Sequence, residues 1–306
     1  MVTDSWLDAT QQFLERAVAY FGAQRELDTI RVSDVRRWAA QLATTPARKP
    51  RKEGDRPGRL MRTATIRHHL NALSNLYRRA MEDELVPPGY NPVASLMEKP
   101  GRAEQEARWL EVPDAALLLA VAAKLPVMET AAGLSIGAEL AYPLVATFLL
   151  TGGRSAEVFG LELDDVSFDR SIITFRPNAL RRLKTRTSHR VVPLWPQLGE
   201  ILRPYVFGPR LERGGRLLFP AFVDGREQML TDVRKPLDRL AERAGWARGE
   251  IRTRLFRHTY CAARLQTLDA GAPVSIYTVA RELGHQSTRW CGACMPTSAP
   301  RGTART

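Results

Sequence analysis

The chain has 306 residues, and 45 Lys and Arg against 33 Asp and Glu give it a net charge of +12. Apolar residues make up 44% and charged residues 25% of the sequence, which excludes wholesale disorder, and three cysteines are too few for a disulfide scaffold. The length allows one large or two ordinary domains. The excess of positive charge predicts a polyanionic partner, most often nucleic acid.

The expected compartment follows from the cysteines and the apolar segments. The cysteines are Cys261, Cys291 and Cys294, too few to indicate an oxidising environment. The N-terminus lacks the basic and apolar regions of a signal peptide. The most apolar stretch, 134–150, is shorter than the roughly 20 residues of a membrane span and is predicted to be a buried helix. We therefore expect a cytoplasmic protein.

Helical periodicity dominates the first 100 residues. Apolar residues recur at helix spacing over 6–21, and Ser33 and Asp34 can cap a second helix. A third apolar stripe runs over 65–80 and ends at the Pro- and Gly-rich stretch 86–92. Helices with short connections predict a small bundle.

A basic segment separates the second predicted helix from the third. Residues 47–63 carry seven bases and two acids together with Pro and Gly. The segment can be a solvated loop, or it can be a flexible arm that contacts DNA phosphates. In the second case the contacts would come from Arg48, Lys49, Arg51 and Lys52.

A polar linker predicts a boundary between two domains. Residues 97–109 are polar and contain Pro100 and Gly101 between two hydrophobic regions. We therefore assign 1–100 to a helical domain and 107–306 to a second domain, which is predicted to be mainly α with a small β-sheet. Its helices are expected at 112–123, 138–150, 232–244, 259–266 and 274–283, and its strands at 165–169, 171–175 and 189–194.

Four short blocks in the second domain carry candidate chemistry. In the first, Arg154 falls in the first turn of a predicted helix, where a cation opposes the helix dipole. A phosphate bound between Arg154 and the helix N-terminus would explain this placement, and so would a surface ion pair with Glu157. The spacing is compatible with either.

The second block, 180–194, predicts a β-hairpin with a basic turn. Lys184 can lie over a DNA groove, where its ammonium group could donate a proton. Arg181, Arg182 and Arg186 would then be DNA contacts beside it. The alternative is a solvated hairpin tip.

The third and fourth blocks add two arginines and a histidine. Arg254 and Arg257 are three residues apart and share a face of a predicted helix. Gly284 ends the next helix, and His285 follows it in a position that can point at a ligand. Each feature alone is compatible with an ordinary structural role.

Together the blocks resemble the tyrosine recombinase family, also called the phage integrase family. Their order and spacing agree with it over residues 107–290. The helices of 1–100 resemble the family's helical, SAM-like core-binding domain. The matching text is TGGRSAEVFGL at 151–161, KT at 184–185, RVVPL at 190–194, RHT at 257–259 and LGHQS at 283–287.

The resemblance implies a reaction at a DNA phosphodiester. Arg154 and Arg257 would bind its non-bridging oxygens. His285 would add a hydrogen bond or move a proton, and Lys184 would protonate the departing 5′-hydroxyl. A tyrosine would attack phosphorus to give a covalent 3′-phosphotyrosine. The resemblance also implies that the reaction takes place in a tetrameric synapse on double-stranded DNA and needs no metal or cofactor. Arg254 stands where the family usually has His, and it can bind a phosphate oxygen but cannot act as a base near neutral pH.

The family's nucleophile is missing from its expected place. It should lie about nine or ten residues after His285, but 290–306 contains no tyrosine, and Cys294 stands near that position. Tyr260 and Tyr277 precede His285 on helices that we expect to pack inside, so neither fits the role.

A slipped reading frame near Arg289 would explain the missing tyrosine. The codons for Ala-Cys-Met-Pro-Thr-Ser at 293–298, regrouped from the third base of the first codon, permit Val-Tyr-Ala-His-Leu. The competing hypothesis is a catalytically inactive DNA-binding protein or a decayed integrase relic. A basic RNA-binding protein would explain the charge but not the four ordered blocks. Cys291 and Cys294 have zinc-like spacing, but a single CxxC is a weak metal signal.

Overall fold

The computed structural model describes residues 4–47, 59–101, 107–126, 128–129, 135–136, 138–181, 183, 186–269 and 271–292. The chain divides into two compact units, Met1–Gln105 and Glu106–Thr306. None of the described helices has both the length and the apolar character that crossing a membrane requires. Helices predominate and the sheets are small, which confirms the predicted fold class.

Three helices surround the apolar core of the first unit. They are α1 (Asp4–Phe21), α2 (Val32–Thr44) and α3 (Thr63–Glu82). Trp38 of α2 is 1% exposed and Tyr77 of α3 is 0% exposed, and the Tyr77 hydroxyl donates to the carbonyl of Leu27 at 2.9 Å. Burying side chains of this kind contributes about 2–3 kcal/mol each to folding.

The start of α2 differs slightly from the predicted cap. Arg31 is the N-cap, and the Asp34 carboxylate accepts a hydrogen bond from its backbone N–H at 3.0 Å. Asp34 therefore caps from inside the first turn, and Ser33 is simply part of the helix.

The second unit is built mainly from short helices. These are α4 (Val112–Ala122), α5 (Ala138–Thr151), α6 (Ser155–Phe159), α7 (Pro196–Tyr205), α8 (Arg234–Arg243), α9 (Thr253–Leu265), α10 (Ile276–Glu282) and α11 (Arg289–Gly292). The strands are β1 (Met128–Glu129), β2 (Ser135–Ile136), β3 (Val166–Ser167), β4 (Ile172–Phe175), β5 (Arg190–Pro193), β6 (Pro220–Val223), β7 (Arg226–Met229), β8 (Leu268–Asp269) and β9 (Ala272–Pro273).

Helix α5 lies at the centre of this unit and packs against α4, α7 and α9. The Phe148 ring centroid is 5.8 Å from that of Phe159 in α6 and 6.1 Å from that of Phe256 in α9. The buried helix predicted within 134–150 is confirmed as α5. Because this helix is anchored on several sides, its C-terminal end is a fixed point for the residues that follow.

Strands β3, β4 and β5 form an antiparallel sheet in that order. Phe175 at the end of β4 lies opposite Arg190 at the start of β5. The three predicted strand regions are confirmed, but the hairpin is not contained in 180–194. Its two strands are β4 and β5, and the basic segment is their long connection, which includes a 3₁₀ turn at Arg186–Ser188.

Candidate active site

Two glycines carry the chain from α5 into the site. Gly152 has φ +60°, and a Cβ there would stand 2.7 Å from Leu283 and 2.8 Å from Tyr260. A Cβ on Gly153 would stand 2.5 Å from a valine side chain of α6. Both positions exclude a side chain, so the end of α5 can pack closely against α9 and α10 and present Arg154 as the N-cap of α6.

Arg154 makes the ion pair that the sequence offered as an alternative. Its Nη1 lies 2.6 Å from Glu157 Oε1, and its backbone N–H donates to Glu157 Oε2 at 2.9 Å. Nη1 also donates to Ser188 Oγ at 3.3 Å. The Arg154 side chain is still 29% exposed while Glu157 is 4% exposed. The pair is therefore not a surface bridge, because a buried carboxylate holds a partly exposed guanidinium.

Glu157 is ionised because two guanidiniums share it. Burial opposes ionisation, but the charge and hydrogen bonds of Arg190, with those of Arg154, lower the pKa of Glu157 to about 2. Arg190 Nη2 donates to Glu157 Oε2 at 2.9 Å. From the sequence, Glu157 was expected only as an alternative partner of Arg154, and Arg190 had no predicted role. The acid three residues after Arg154 was a usable signal, whereas nothing local pointed to Arg190.

Arg257 joins the loop after α5 to the loop after α10. Its Nη1 donates to the Gly152 carbonyl at 2.6 Å, and its Nη2 donates to the Leu283 carbonyl and contacts His285 Nε2 at 2.8 Å. Burial and the nearby charge of Arg154 lower the pKa of Arg257 to about 9, which leaves it protonated at neutral pH. A buried cation repelled by a second cation favours an anion nearby.

The loop after α10 places His285 against Arg257. Gly284 has φ +67°, a Cβ there would stand 3.1 Å from the Thr187 carbonyl, and the backbone N–H of His285 donates to the carbonyl of Ala280 at 2.9 Å. This is the left-handed helix end predicted from the sequence. The structure therefore brings Arg154, Arg257 and His285 into one site.

Arg254 shares α9 with Arg257, as predicted, but it is exposed. Its Nε contacts His258 Nε2 at 3.3 Å. Within the described part of the chain, Arg254 makes no hydrogen bond to Arg154, Arg257 or His285. Its assignment to the site remains a prediction.

The prediction that Arg181 contacts DNA is wrong in this structure. The side chain of Arg181 is 1% exposed and lies 3.7 Å from Asp165 Oδ2. Its guanidinium donates to the backbone carbonyls of Glu157 and Arg176. Burial lowers the pKa of Arg181, and the surrounding carboxylates oppose that effect. Its charge is neutralised inside the protein, where it connects the β4–β5 loop to α6.

Several predicted site residues lie outside the described residues. For Arg186 the structure gives the backbone, in the 3₁₀ turn, and no side-chain position. The others are Arg48, Lys49, Arg51, Lys52, Arg182, Lys184 and Cys294.

The two tyrosines of the third and fourth blocks have different surroundings. Tyr260 is 4% exposed, and its hydroxyl donates to Glu282 Oε2 at 2.8 Å. Burial, together with the neighbouring Glu282 carboxylate, raises the pKa of Tyr260, so it is a poor nucleophile. Tyr277 is 71% exposed, so the expectation that it packs inside was wrong.

The thiol of Cys291 neighbours His285. Cys291 of α11 is fully buried, and its pKa falls to about 5 because hydrogen bonding with Cys261 and the neighbouring His285 outweighs the opposing effect of burial. Its side chain has no exposed surface from which to meet an external phosphate. Within the described ranges, no group of three or more His, Cys, Asp or Glu could hold a metal ion.

A basic stripe on α8 was missed by the sequence interpretation. Lys235, Arg239 and Arg243 are all exposed, and their spacing of four residues puts them on one face of the helix. No ion pair to them occurs in the part of the chain that the structure describes. The i, i+4, i+8 spacing was the available signal. The first turn of α8 borders a hollow of about 340 Å³ that is also lined by Ser155 of α6 and Thr253 of α9.

The fold is that of DNA integrases and site-specific recombinases. The Tn1549 transposon integrase in complex with transposon right end DNA is similar at a TM-score of 0.72, with 15% identity over 97% of this chain and 91% of that one. XerH site-specific recombinase bound to a difH substrate is similar at a TM-score of 0.68, with 16% identity over 94% of this chain and 75% of that one. A lambda integrase dimer bound to a core site is similar at a TM-score of 0.64, with 12% identity over 96% of this chain and 89% of that one.

The sequence places the chain more narrowly. The profile of the phage integrase family matches residues 127–291, more than half of the chain, and the chain belongs to that family. The matched segment spans all four blocks. Among curated proteins, none matches the sequence.

Proposed function

We propose that the chain is a site-specific DNA recombinase in which the phosphate-activating half of the active site is assembled and the tyrosine nucleophile is absent from the encoded sequence. The observation that carries this proposal is the cluster of Arg154, Arg257 and His285. All three are held in place by hydrogen bonds to other groups of the protein. Preorganised donors of this kind stabilise charge that develops in a transition state.

The chemistry of the site suits a phosphodiester. Arg154 and Arg257 carry two positive charges, and the Glu157 carboxylate beside them is already shared with Arg190, so an anion would improve the charge balance. Guanidiniums bind phosphate oxygens in a bidentate manner and neutralise them for attack. His285 would donate to the same phosphate group. Lys184 keeps its proposed role as the acid that protonates the 5′-oxygen when the P–O5′ bond breaks.

No tyrosine stands at the position expected for the nucleophile, nine or ten residues after His285. Tyr260 is held inside the protein by Glu282, and Tyr277 is the last tyrosine of the sequence. A tyrosine in the neighbouring frame after Arg289 would supply the oxygen that attacks phosphorus and forms the 3′-phosphotyrosine bond. We propose that DNA binding survives in the encoded chain and that strand cleavage requires the repaired frame.

The DNA partner would be held by cations outside the site as well. The stripe formed by Lys235, Arg239 and Arg243 lies on α8, whose first turn also lines the hollow next to α6, and it would contact DNA phosphates outside the site. The basic segment 47–63 and the β4–β5 loop would add further contacts. Tetrameric assembly on DNA remains part of the proposal, and the dimer named for the lambda integrase structure supports self-association in this family.

A suicide-substrate assay tests the proposal. Duplexes selected for binding from a random pool are rebuilt with a nick, so that the released 5′-hydroxyl strand diffuses away and a covalent adduct accumulates. The encoded chain should bind these duplexes and give no adduct, and the frame-repaired chain should give one. The repaired chain carrying Phe in place of the restored tyrosine is the matched control.

The second candidate function is DNA binding without catalysis. It is favoured by the segment 290–306, which holds no tyrosine at the position expected for the nucleophile. If the frame-repaired chain binds DNA but forms no adduct on any selected duplex, this candidate replaces the first. If neither chain binds duplex DNA, both are wrong.

A further inference from the structure

Arg190 is a buried arginine whose hydrogen bonds go to protein groups beside the site. It stands opposite Phe175 in the β4–β5 pair, and its guanidinium carbon is 4.3 Å from the centre of the Phe175 ring. The side chain is 5% exposed. The aromatic face and the sheet fix the plane of the guanidinium, so its N–H groups point in set directions.

Those N–H groups reach three separate segments of the chain. Nη2 donates to Glu157 Oε2 at 2.9 Å, Nε donates to the Glu282 carbonyl at 2.5 Å, and Nη1 donates to the Ser188 carbonyl at 3.0 Å. Glu157 is the carboxylate that holds Arg154. Glu282 is the last residue of α10, three residues before His285. Ser188 ends the 3₁₀ turn before β5, and its hydroxyl also contacts Arg154.

We propose that Arg190 is the positioning residue that sets the distance between the Arg154 guanidinium and the His285 imidazole. This inference rests on the proposed phosphate-binding function of the site. Arg257 links the same two regions through separate hydrogen bonds, to the carbonyls of Gly152 and Leu283. Two arginines therefore hold neighbouring carbonyls at the end of α10, and the loop that carries His285 has little freedom.

The close packing around Gly284 supports a positioning role. A Cβ on Gly284 would stand 3.3 Å from both Cδ and Nη1 of Arg190 and 3.1 Å from the Thr187 carbonyl. The helix end thus lies against the guanidinium with no side chain between them. Stability alone gives a weak reason for such an arrangement, because a buried ion pair can often be replaced by apolar residues without loss.

Lysine cannot reproduce this geometry. Its single ammonium would keep the positive charge near Glu157, but it is not a planar fork that can reach acceptors on three segments at once. Arg190→Lys therefore separates the charge of Arg190 from its shape. We expect affinity for inorganic phosphate at the site to fall by about tenfold in Arg190→Lys, because Arg154 and His285 no longer meet the anion together.

The test uses the encoded chain and inorganic phosphate, with the ring signals of His285 followed by NMR. Wild-type chain should bind phosphate with a shift of the His285 signals, and Arg257→Lys should abolish that shift. Arg190→Lys should weaken binding and move the His285 signals in the absence of phosphate. The matched control is Arg210→Lys. Arg210 is equally buried, with a 1% exposed side chain paired to Glu227, but it holds a loop outside the site.

The outcomes distinguish this inference from the proposed function on which it rests. Phosphate binding that is unchanged in Arg190→Lys would overturn the positioning role and leave the site intact. Wild-type chain that binds no phosphate, or binds it equally well without Arg257, would overturn the proposed function instead. If Arg190→Lys does not fold, Glu157→Gln gives the second measurement. This variant removes the ion pair between Arg190 and Glu157 while the Arg190 side chain stays. Unmoved His285 signals and unchanged phosphate affinity in Glu157→Gln would also contradict the proposal.

Discussion

Arginines do two different physical jobs in the second unit. Around the site, Arg257 and Arg190 are buried, and each holds backbone carbonyls from distant segments. On α8, Arg239 and Arg243 are exposed on one face of the helix, with no ion pair in the described part of the chain. The buried arginines fix the positions of the site residues, so they affect the stability of the fold and the chemistry of the site. The exposed group contributes charge, which determines the affinity for a polyanion and its dependence on salt.

The largest expected effect is on the buried side, at Arg257. Arg257→Ala leaves the carbonyls of Gly152 and Leu283 without their donor and opens a cavity, so we expect the free energy of unfolding to fall by about 3–5 kcal/mol. Urea denaturation of the whole chain measures it. Arg254→Ala, in the same helix but exposed, should stay within about 0.5 kcal/mol. Equal losses in the two variants would contradict the division into buried and exposed roles.

Glu157 gives the next effect, and it depends on pH. Its folded pKa of about 2 is below the ordinary glutamate value of 4.5, so the carboxylate adds stability that is complete above pH 4.5 and is lost as the pH falls towards 2. The contribution at neutral pH is about 3 kcal/mol. Glu157→Gln should therefore be less stable than wild type at pH 7, and the gap should close on acidification. A gap that stays constant from about pH 7 to about pH 2.5 would show that Glu157 is not the ionised partner of Arg154 and Arg190.

Arg181 tests whether the buried group was identified correctly. Arg181→Met removes donors to the carbonyls of Glu157 and Arg176 but preserves much of the packing, so we expect a loss of about 2 kcal/mol in the free energy of unfolding. The salt dependence of DNA binding should not change, because the Arg181 side chain is 1% exposed. If Arg181→Met folded with full stability and bound DNA more weakly, the DNA contact predicted from the sequence would be right after all.

Much of the fold was predictable because it depends on local patterns. Helix periodicity located α5, and strand-like runs located β3, β4 and β5. The family's sequence motifs have a fixed order along the chain, and this order identified three site residues: Arg154, Arg257 and His285. The blocks alone did not establish that the three side chains meet, which depends on the glycine turns at the ends of α5 and α10.

The remaining features depend on contacts between distant segments. Arg181 lies in a basic run, and only the fold shows that Asp165 and two carbonyls surround its guanidinium. Arg190 looked like one more base in the same run, yet two of its three acceptors lie 33 and 92 residues away. Tyr277 was expected inside because its helix was expected to pack inside, but that helix has only seven residues and buries another face. Charge and periodicity do not encode which partner a long polar side chain finds.

The smallest effect on folding, and the sharpest test of the exposed group, comes from α8. Replacing Lys235, Arg239 and Arg243 together by Ala should leave stability within about 1 kcal/mol, since none of them is buried. The slope of log K for DNA against log salt should fall by up to about 2.7, at roughly 0.9 for each phosphate that the stripe no longer neutralises. Fluorescence anisotropy with a labelled duplex at several salt concentrations measures this slope.

Two ion-paired arginines in and just after α8 supply the matched control for that slope. Arg234 pairs with Asp232 at 2.7 Å, and Arg248 pairs with Glu242, so each of these cations is already neutralised. Arg234→Ala and Arg248→Ala should lower the slope less per charge removed, because a paired guanidinium releases fewer DNA counterions when it binds. If paired and unpaired cations reduced the slope equally, the stripe would not be a distinct DNA-binding surface. The affinity would then reflect only the net charge of +12 with which the whole chain attracts DNA.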